Sequence, residues 1–552
     1  MANGQVHAKE LAKKQREISV AEFFEKNRHL LGFDNPRKSL LTTIKEAVDN
    51  SLDAAEEARI LPEINVEILQ LSETRFKITI EDNGPGIVKA QIPKIFAKLL
   101  YGSKFHKLSQ SRGQQGIGIS AAVLYAQLTT GKPTVITSKT DPTKKAHQFT
   151  LKINTQTNEP QIIKDDEIDW SNKEHGIKIE MELEGSYFKG KQSVDEYIKE
   201  TAITNPHTTI IYTNPIPEQI IFARATEELP AEAKEIKPHP YGVELGMLIK
   251  MLQTTKARTL QSFLQQDFSR VGPGTAKEIC ENAKLLPNSK PKSISRDMAE
   301  QLYKGIQATK IISPPTNCLS PIGAELLEKG LRKEINAEFY CSVTRPPSVY
   351  RGNPFLVEVG LAYGGEQDKE DTIRLLRYAN RVPLIYQPGA CAITQAVQQI
   401  AWNPYGLSQS KRSLPAGPVT LVVHMASVWV PFTSESKEAI AHYPEIMKEI
   451  KLAVRECGRK LGLFINKKRR IHAESKKRSY IETYIPYISE ALHELIGINK
   501  TDKEKVEKLL RQILEKHRGK LEKIEIDNPD YDEEIANIGK EEKETQTTLD
   551  EE

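Results

Sequence analysis

Residues 40–55 read LLTTIKEAVDNSLDAA, and the spacing within them decides how the chain is read. Leu41, Ile44, Val48 and Leu52 recur at helical intervals, which predicts a helix with one buried stripe. Glu46 and Asn50 are four apart and share a different face. A carboxylate and an amide oxygen one turn apart suit two tasks, activating water and holding a hard cation through oxygen. An amphipathic surface helix has the same spacing, so the segment is read with its neighbours.

Residues 76–86, FKITIEDNGPG, are the next element. Alternation of Phe76, Ile78 and Ile80 predicts a strand, and period two carries Asp82 onto the same inward face. Gly84 and Gly86 allow the backbone to approach a flat ligand. A carboxylate at the strand end can accept a hydrogen bond from an exocyclic amine, as adenine presents. A hairpin turn without a ligand has the same residues. Residues 112–120, RGQQGIGIS, then run into an apolar helix from Ala121 to Leu128. Glycine-rich loops at helix starts cradle phosphates with backbone N–H groups. No G-K-[ST] ends this loop and polar residues precede it, which excludes a Walker A loop and a Rossmann turn.

The order of the three motifs resembles the GHKL superfamily of gyrase-type ATPases, heat-shock chaperones, histidine kinases and mismatch-repair clamps. The resemblance implies a Bergerat-type ATP site. Glu46 is then the general base, Asn50 the Mg²⁺ ligand, and Asp82 the reader of the adenine amine, with Gly84 and Gly86 in its turn. Gly113, Gln114, Gln115, Gly116, Ile117, Gly118, Ile119 and Ser120 wrap the triphosphate. Gly102, Ser103 and Lys104 lie in a segment that resembles the one before the family's lid, which implies that Gly102 and Ser103 touch the nucleotide; Lys104 pairs with phosphate or is simply solvated. His175-Gly176-Ile177 matches a late box in which relatives often carry Thr at the Ile177 position. Histidine kinases lack a water-activating carboxylate, so Glu46 implies hydrolysis and not phosphotransfer.

The later regions resemble the B subunits of archaeal type IIB topoisomerases. Pro238-His-Pro-Tyr-Gly-Val243 and the short helices after it look like that family's helix-two-turns-helix insert. Within the insert, Val271 to Gly274 read as a hairpin at a helix start, which grips a DNA phosphate or serves as a compact hinge. Residues 376–386, LRYANRVPLIY, look like the transducer shared with mismatch-repair ATPases, with Asn380 and Pro383 at family positions. Residues 428–440, VWVPFTSESKEAI, place Lys437 where the family has a lysine reaching the γ-phosphate. Glu435 and Glu438 beside it also suit a solvated loop.

The resemblance thus implies an α+β multidomain chain. An N-terminal arm (1–20) precedes a GHKL ATPase α/β sandwich (21–235) and the helical insert (236–315). A ribosomal-S5-like transducer with a long C-terminal helix (316–490) leads into a charged helix and acidic tail (491–552). Pro-rich punctuation at Ile236–Tyr241 and Ile312–Thr316 supports two of these boundaries. The implied cofactors are ATP and Mg²⁺. The implied partners are double-stranded DNA, a separate A subunit in an A2B2 assembly, and a second copy joined through the ATPase domain on ATP binding. A mismatch-repair-type clamp shares the ATP site and transducer but is not expected to carry the insert.

Composition agrees. The chain has 552 residues and a net charge of +4. From Asp527 onward eleven Asp and Glu face Lys540 and Lys543, so the remainder is basic and suits a polyanionic partner. Arg455, Arg459, Lys460 and the Lys467–Arg470 run are either a solvated helix face or the lining of a DNA cavity. The five cysteines form no C-x-x-C pair, which speaks against a zinc site and fits a reducing cytoplasm, here at the nucleoid. Pro418 to Phe432, the most apolar stretch, is too short to span a membrane. The late D-x-D, Asp530-Tyr-Asp532, lies in the acidic tail and not at a strand end, so DNA cutting is expected of the A subunit.

Overall fold

The computed structural model describes residues 11–13, 17–102, 108–113, 116–434, 436–497 and 499–518. Most of the arm, Ser103, Lys104, Gln114, Gln115, Glu435 and the acidic tail from 519 lie outside them. The chain divides into two compact units, residues 1–401 with 409–457, and residues 402–408 with 458–552.

The first unit holds two sheets. Helix α1 (Val20–Lys26) leads to α2 (Pro36–Glu57). Asn35 starts α2: its side chain accepts the Lys38 N–H, and Pro36 follows at the first helical position. Such a cap contributes about 1 kcal/mol, and proline there loses no bond. Leu41, Ile44, Val48 and Leu52 are all buried, as their spacing predicts. The strands β1 (Glu63–Gln70), β2 (Arg75–Asp82), β3 (Thr134–Lys139), β4 (Ala146–Asn154), β5 (Glu159–Ile168), β6 (Gly176–Glu184), β7 (Thr209–Thr213) and β8 (Gln219–Phe222) form one sheet in the order 5-4-3-6-2-1-7-8. In β2, Phe76, Ile78, Ile80 and Asp82 are the buried set, so period two does carry the carboxylate inward. Helices α3 (Ile92–Ala97), α4 (Gly118–Thr130) and α5 (Val194–Thr204) join α2 in one core with this sheet.

Four helices follow: α6 (Leu245–Thr254), α7 (Leu260–Asp267), α8 (Pro273–Asn282) and α9 (Arg296–Ala308). Leu248, Phe263, Ile279 and Leu302 belong to a core of their own. Gly272 caps α8 and Pro273 opens it.

Helix α10 (Ala324–Glu334) precedes the second sheet, made of β9 (Phe339–Thr344), β10 (Ser348–Tyr350), β11 (Asn353–Tyr363), β12 (Arg374–Ala379), β13 (Val382–Pro383) and β14 (Val419–Ser427). Its strand order is 10-11-14-12-13, with β9 on β11. The apolar stretch of the sequence is β14, buried along its whole length between antiparallel β11 and parallel β12. Continuous hydrophobicity is what a strand covered on both faces requires. Helix α11 (Ala392–Gln398) follows β13. Helix α12 (Pro444–Ile496) begins in this unit, burying Ile446, Ile450, Ala453 and Val454.

In the second unit, the Tyr405 ring occupies the space a side chain on Gly458 would need, 2.6 Å away. Helix α13 (Lys500–Arg518) is tied to α12 by Ser489 donating to Glu507 at 2.8 Å and by Arg511 pairing with Glu482 at 3.1 Å. Among the described residues no helix is long and apolar enough to cross a membrane.

Candidate functional site

One cavity of about 620 Å³ opens between α2, the end of β2, the glycine-rich turn and the loop before α12. Glu46, Asn50, Asp82, Gly86, Gly102, Gly113, Gly116, Ile117, Gly118, Ile119 and Lys437 all line it. Two residues expected at the ligand do not. Gly84 turns away, its N–H bound to the Asp82 carboxylate at 2.9 Å and its carbonyl to the His175 ring at 2.8 Å. The Ser120 hydroxyl folds back onto the Ile117 carbonyl at 3.1 Å.

Asp82 is buried at the end of β2 with a fixed orientation. Oδ2 accepts the Ser51 hydroxyl at 2.6 Å, and Oδ1 accepts the N–H groups of Gly84 and Ile177 at 2.9 and 3.2 Å. Burial raises its pKa above the ordinary value, against the pull of these bonds. Ile177 therefore contributes its backbone here, and the missing hydroxyl of the late box does not disturb this contact. Gly86 sits at φ +72°, and a Cβ on it would fall 2.1 Å from the Lys139 carbonyl, so only glycine allows this turn.

Glu46 faces the start of α4. A Cβ on Gly118 would lie 1.7 Å from its Oε2. Among the described residues no side chain caps α4, which leaves the positive end of its dipole facing the cavity. One turn beyond Glu46, the Asp49 carboxyl accepts the Tyr197 hydroxyl at 3.0 Å, and burial pushes its pKa up to about 6. Lys45, also on the lining, is pushed below its ordinary value by burial.

Lys437 lies in a tight loop closed by a bridge between Phe432 and Ile440. Its Nζ donates to the Arg112 carbonyl at 3.3 Å. The adjacent Glu438 is buried and pairs with Lys38 of α2 at 2.5 Å. The alternative of a solvated loop does not hold at Glu438, and Glu435 lies outside the described residues.

Sequence reasoning missed Ser51, Lys45, Tyr197 and Arg112. Ser51 carried a signal: it falls on the buried stripe of α2, where a hydroxyl needs a partner. Arg112 lies buried between Asp53 at 2.9 Å, Glu56 at 2.6 Å and Asn205 at 2.5 Å. Burial works against its charge, but Glu56 and Asp53 hold its pKa above the ordinary value.

Comparison with known proteins agrees with this geometry. Residues 38–176 match the family of histidine kinase-, DNA gyrase B- and HSP90-like ATPases, which implies ATP binding. Residues 314–477 match the topoisomerase VI B subunit transducer. The B subunit of type 2 DNA topoisomerase 6 from Methanococcoides burtonii is 54% identical over 486 residues, covering 88% of this chain and 78% of that protein. Its counterpart from Methanosarcina acetivorans is 54% identical over 480 residues, covering 87% and 77%. The counterpart from Archaeoglobus fulgidus is 49% identical over 484 residues, covering 88% and 80%. These matches do not favour a mismatch-repair-type clamp. The chain belongs to the family of type 2 DNA topoisomerase 6 B subunits.

Proposed function

We propose that this chain is the ATP-binding and hydrolysing subunit of a type IIB DNA topoisomerase, acting in an A2B2 heterotetramer in which both DNA strands are cut by the separate A subunit. ATP binding shifts two copies toward a closed dimer of ATPase domains that captures a duplex. The captured duplex passes through the break, which relaxes supercoils and decatenates DNA. The supporting observation is the convergence of Glu46, Asn50, Asp82, the glycine turn and Lys437 on one cavity of nucleotide-accommodating size, about 620 Å³.

In this reading Glu46 takes the proton of the attacking water. Asp82 accepts from the adenine amine with an orientation already fixed by Ser51, Gly84 and Ile177. The open start of α4 and the turn from Gly113 to Gly118 receive the phosphates. Lys437 stabilises charge on the γ-phosphate. Asn50 supplies an oxygen to Mg²⁺, which when bound offsets phosphate charge. Among the described residues no group of three or more His, Cys, Asp or Glu could hold a metal. That fits an ion carried by one side-chain oxygen and the phosphates of its ligand.

We assign residues 21–235 to the ATPase domain, 236–315 to the helix-two-turns-helix insert and 316–490 to the transducer. A protein working on DNA acts at the nucleoid in the cytoplasm. The test is to purify the chain with its A subunit and follow supercoiled plasmid with and without ATP and Mg²⁺. Relaxation that requires ATP is expected. A complex that neither hydrolyses ATP nor relaxes the plasmid overturns the reading.

A further inference from the structure

The residues leading into the glycine-rich turn are held by the second sheet and its loops. Gln110 exchanges two bonds with the Ser320 main chain, at 2.8 and 2.9 Å. The Ser111 carbonyl accepts the Asn380 side-chain amide at 2.9 Å. The Arg112 carbonyl accepts Lys437. Three consecutive residues at the lid base thus answer to positions 320, 380 and 437.

Asn380 and Arg381 form the two-residue turn between β12 and β13, at φ +49° and +67°. Left-handed backbone at both positions is the I′ geometry of tight hairpins, which asparagine and glycine favour. Arginine does not, so its backbone is strained there. Its side chain explains why it is held there. One guanidinium nitrogen donates to Glu56 at 3.2 Å, and another to the Ser320 hydroxyl at 2.8 Å and to the carbonyls of Ser320 and Pro321. Its backbone N–H donates to His424 at 2.9 Å. Glu56 in turn holds Arg112 and His207. One carboxylate on the helix that carries Glu46 and Asn50 is therefore shared between the lid base and the hairpin.

We propose that Arg381 is a positioning residue for ATP hydrolysis: through Glu56 and Arg112 it sets the lid base relative to α2, so that movement of the β12–β13 hairpin is transmitted to the nucleotide. This rests on the ATPase reading of the cavity. The hairpin also ends beside the cavity, which Pro383, Ile385 and Tyr386 line.

The test uses Arg381→Gly in the full chain with its A subunit. Glycine suits the left-handed turn and removes the guanidinium, leaving Glu56 to Arg112 and His207 and the Ser320 and Pro321 acceptors without this donor. The expected result is a kcat for ATP lowered by about tenfold or more and a KM within about twofold, read well below the variant's own melting temperature. Dimer closure on a non-hydrolysable ATP analogue should need more analogue by a similar factor. Arg381→Lys, which keeps the charge without the fork, should recover part of the kcat. Unchanged kcat and unchanged closure in Arg381→Gly overturn the proposal while leaving the ATPase reading intact. Should Arg381→Gly not fold, Arg381→Gln decides. It keeps a neutral donor but removes the ion pair to Glu56, and the same kcat-against-KM split is expected; its absence overturns the proposal. A wild-type complex that does not hydrolyse ATP removes both readings.

Discussion

The ammonium group of Lys437 lies 3.3 Å from the carbonyl oxygen of Arg112, the residue that opens the glycine-rich turn. A buried cation held by a neutral carbonyl has more to gain from a phosphate, because charge-assisted bonds are roughly twice as strong. Lys437→Ala should therefore leave nucleotide binding largely in place and uncouple it from closure. Hydrolysis should fall by on the order of 10²-fold. Light scattering with a non-hydrolysable analogue checks the coupling, and a wild-type dimerisation response would rule the contact out.

Glu46→Ala separates binding from chemistry. Removing a general base costs about 10²–10⁴-fold in turnover, whereas the adenine and phosphate contacts of the cavity remain. The variant should bind ATP, close, and stay closed. Hydrolysis at the wild-type rate by the complex with the A subunit would exclude Glu46 as the base.

Both residues were legible in the sequence for different reasons. That Glu46 and Asn50 share one face follows from helical spacing, while their roles came from the resemblance, and the Asn35–Pro36 start that fixes α2 is local. Asp82 follows from period two along β2. Lys437 rested on a resemblance, since nothing local distinguishes it from a solvated lysine. The arrangement around Arg112 was not legible, because it joins positions far apart in the chain: Ser111 meets Asn380 across 269 residues, and Glu56 meets Arg381 across 325. Gly84 and Ser120 show a second limit. Motif membership does not say which residue of a turn faces inward, and each of these two is claimed by a bond within its own segment.

Gly118→Ala probes the closeness of α4 and Glu46. Alanine is the better helix former, so α4 should form and the melting temperature should hold. The added methyl would fall 1.7 Å from Glu46 Oε2. The carboxylate is the free end of a flexible side chain, so it yields by rotating away from the water it activates. Misplacement of about 1 Å costs on the order of 10²-fold. Steady-state ATPase and a thermal melt check this together; full activity would mean that Glu46 does not need its observed position.

Asp82→Asn keeps shape and changes donors. The amide oxygen can still accept from Gly84 and Ile177, but the amide nitrogen then faces an adenine amine, donor against donor. Leaving such a group unsatisfied costs about 1–3 kcal/mol. ATP affinity should drop by roughly ten- to a hundredfold, and preference for adenine over guanine nucleotides should shrink. Isothermal titration with both nucleotides reads this, and an unaltered preference would place adenine recognition elsewhere.

His424 gives the fold a pH dependence of defined sign. Its Nε2 accepts the Arg381 backbone N–H at 2.9 Å and its Nδ1 faces Glu358 at 2.8 Å, so the ring is neutral with its proton on Nδ1. Burial pushes its pKa below the ordinary 6.5, outweighing Glu358. As the pH falls, the unfolded chain takes up this proton first. The stability tied to neutral His424 is therefore complete above about 6.5 and is lost on acidification below it, by at most about 1.4 kcal/mol per pH unit. His207, lowered chiefly by burial, adds in the same direction. Asp49, raised to about 6 by burial, acts oppositely and loses stability as the pH rises through that range. Subtracting one protein from another isolates the histidine. His424→Asn keeps one donor and one acceptor but does not titrate, so between about pH 7.5 and about pH 5.5 its melting temperature should fall less steeply than that of the wild type. Parallel slopes would mean that this ring is not what acid attacks.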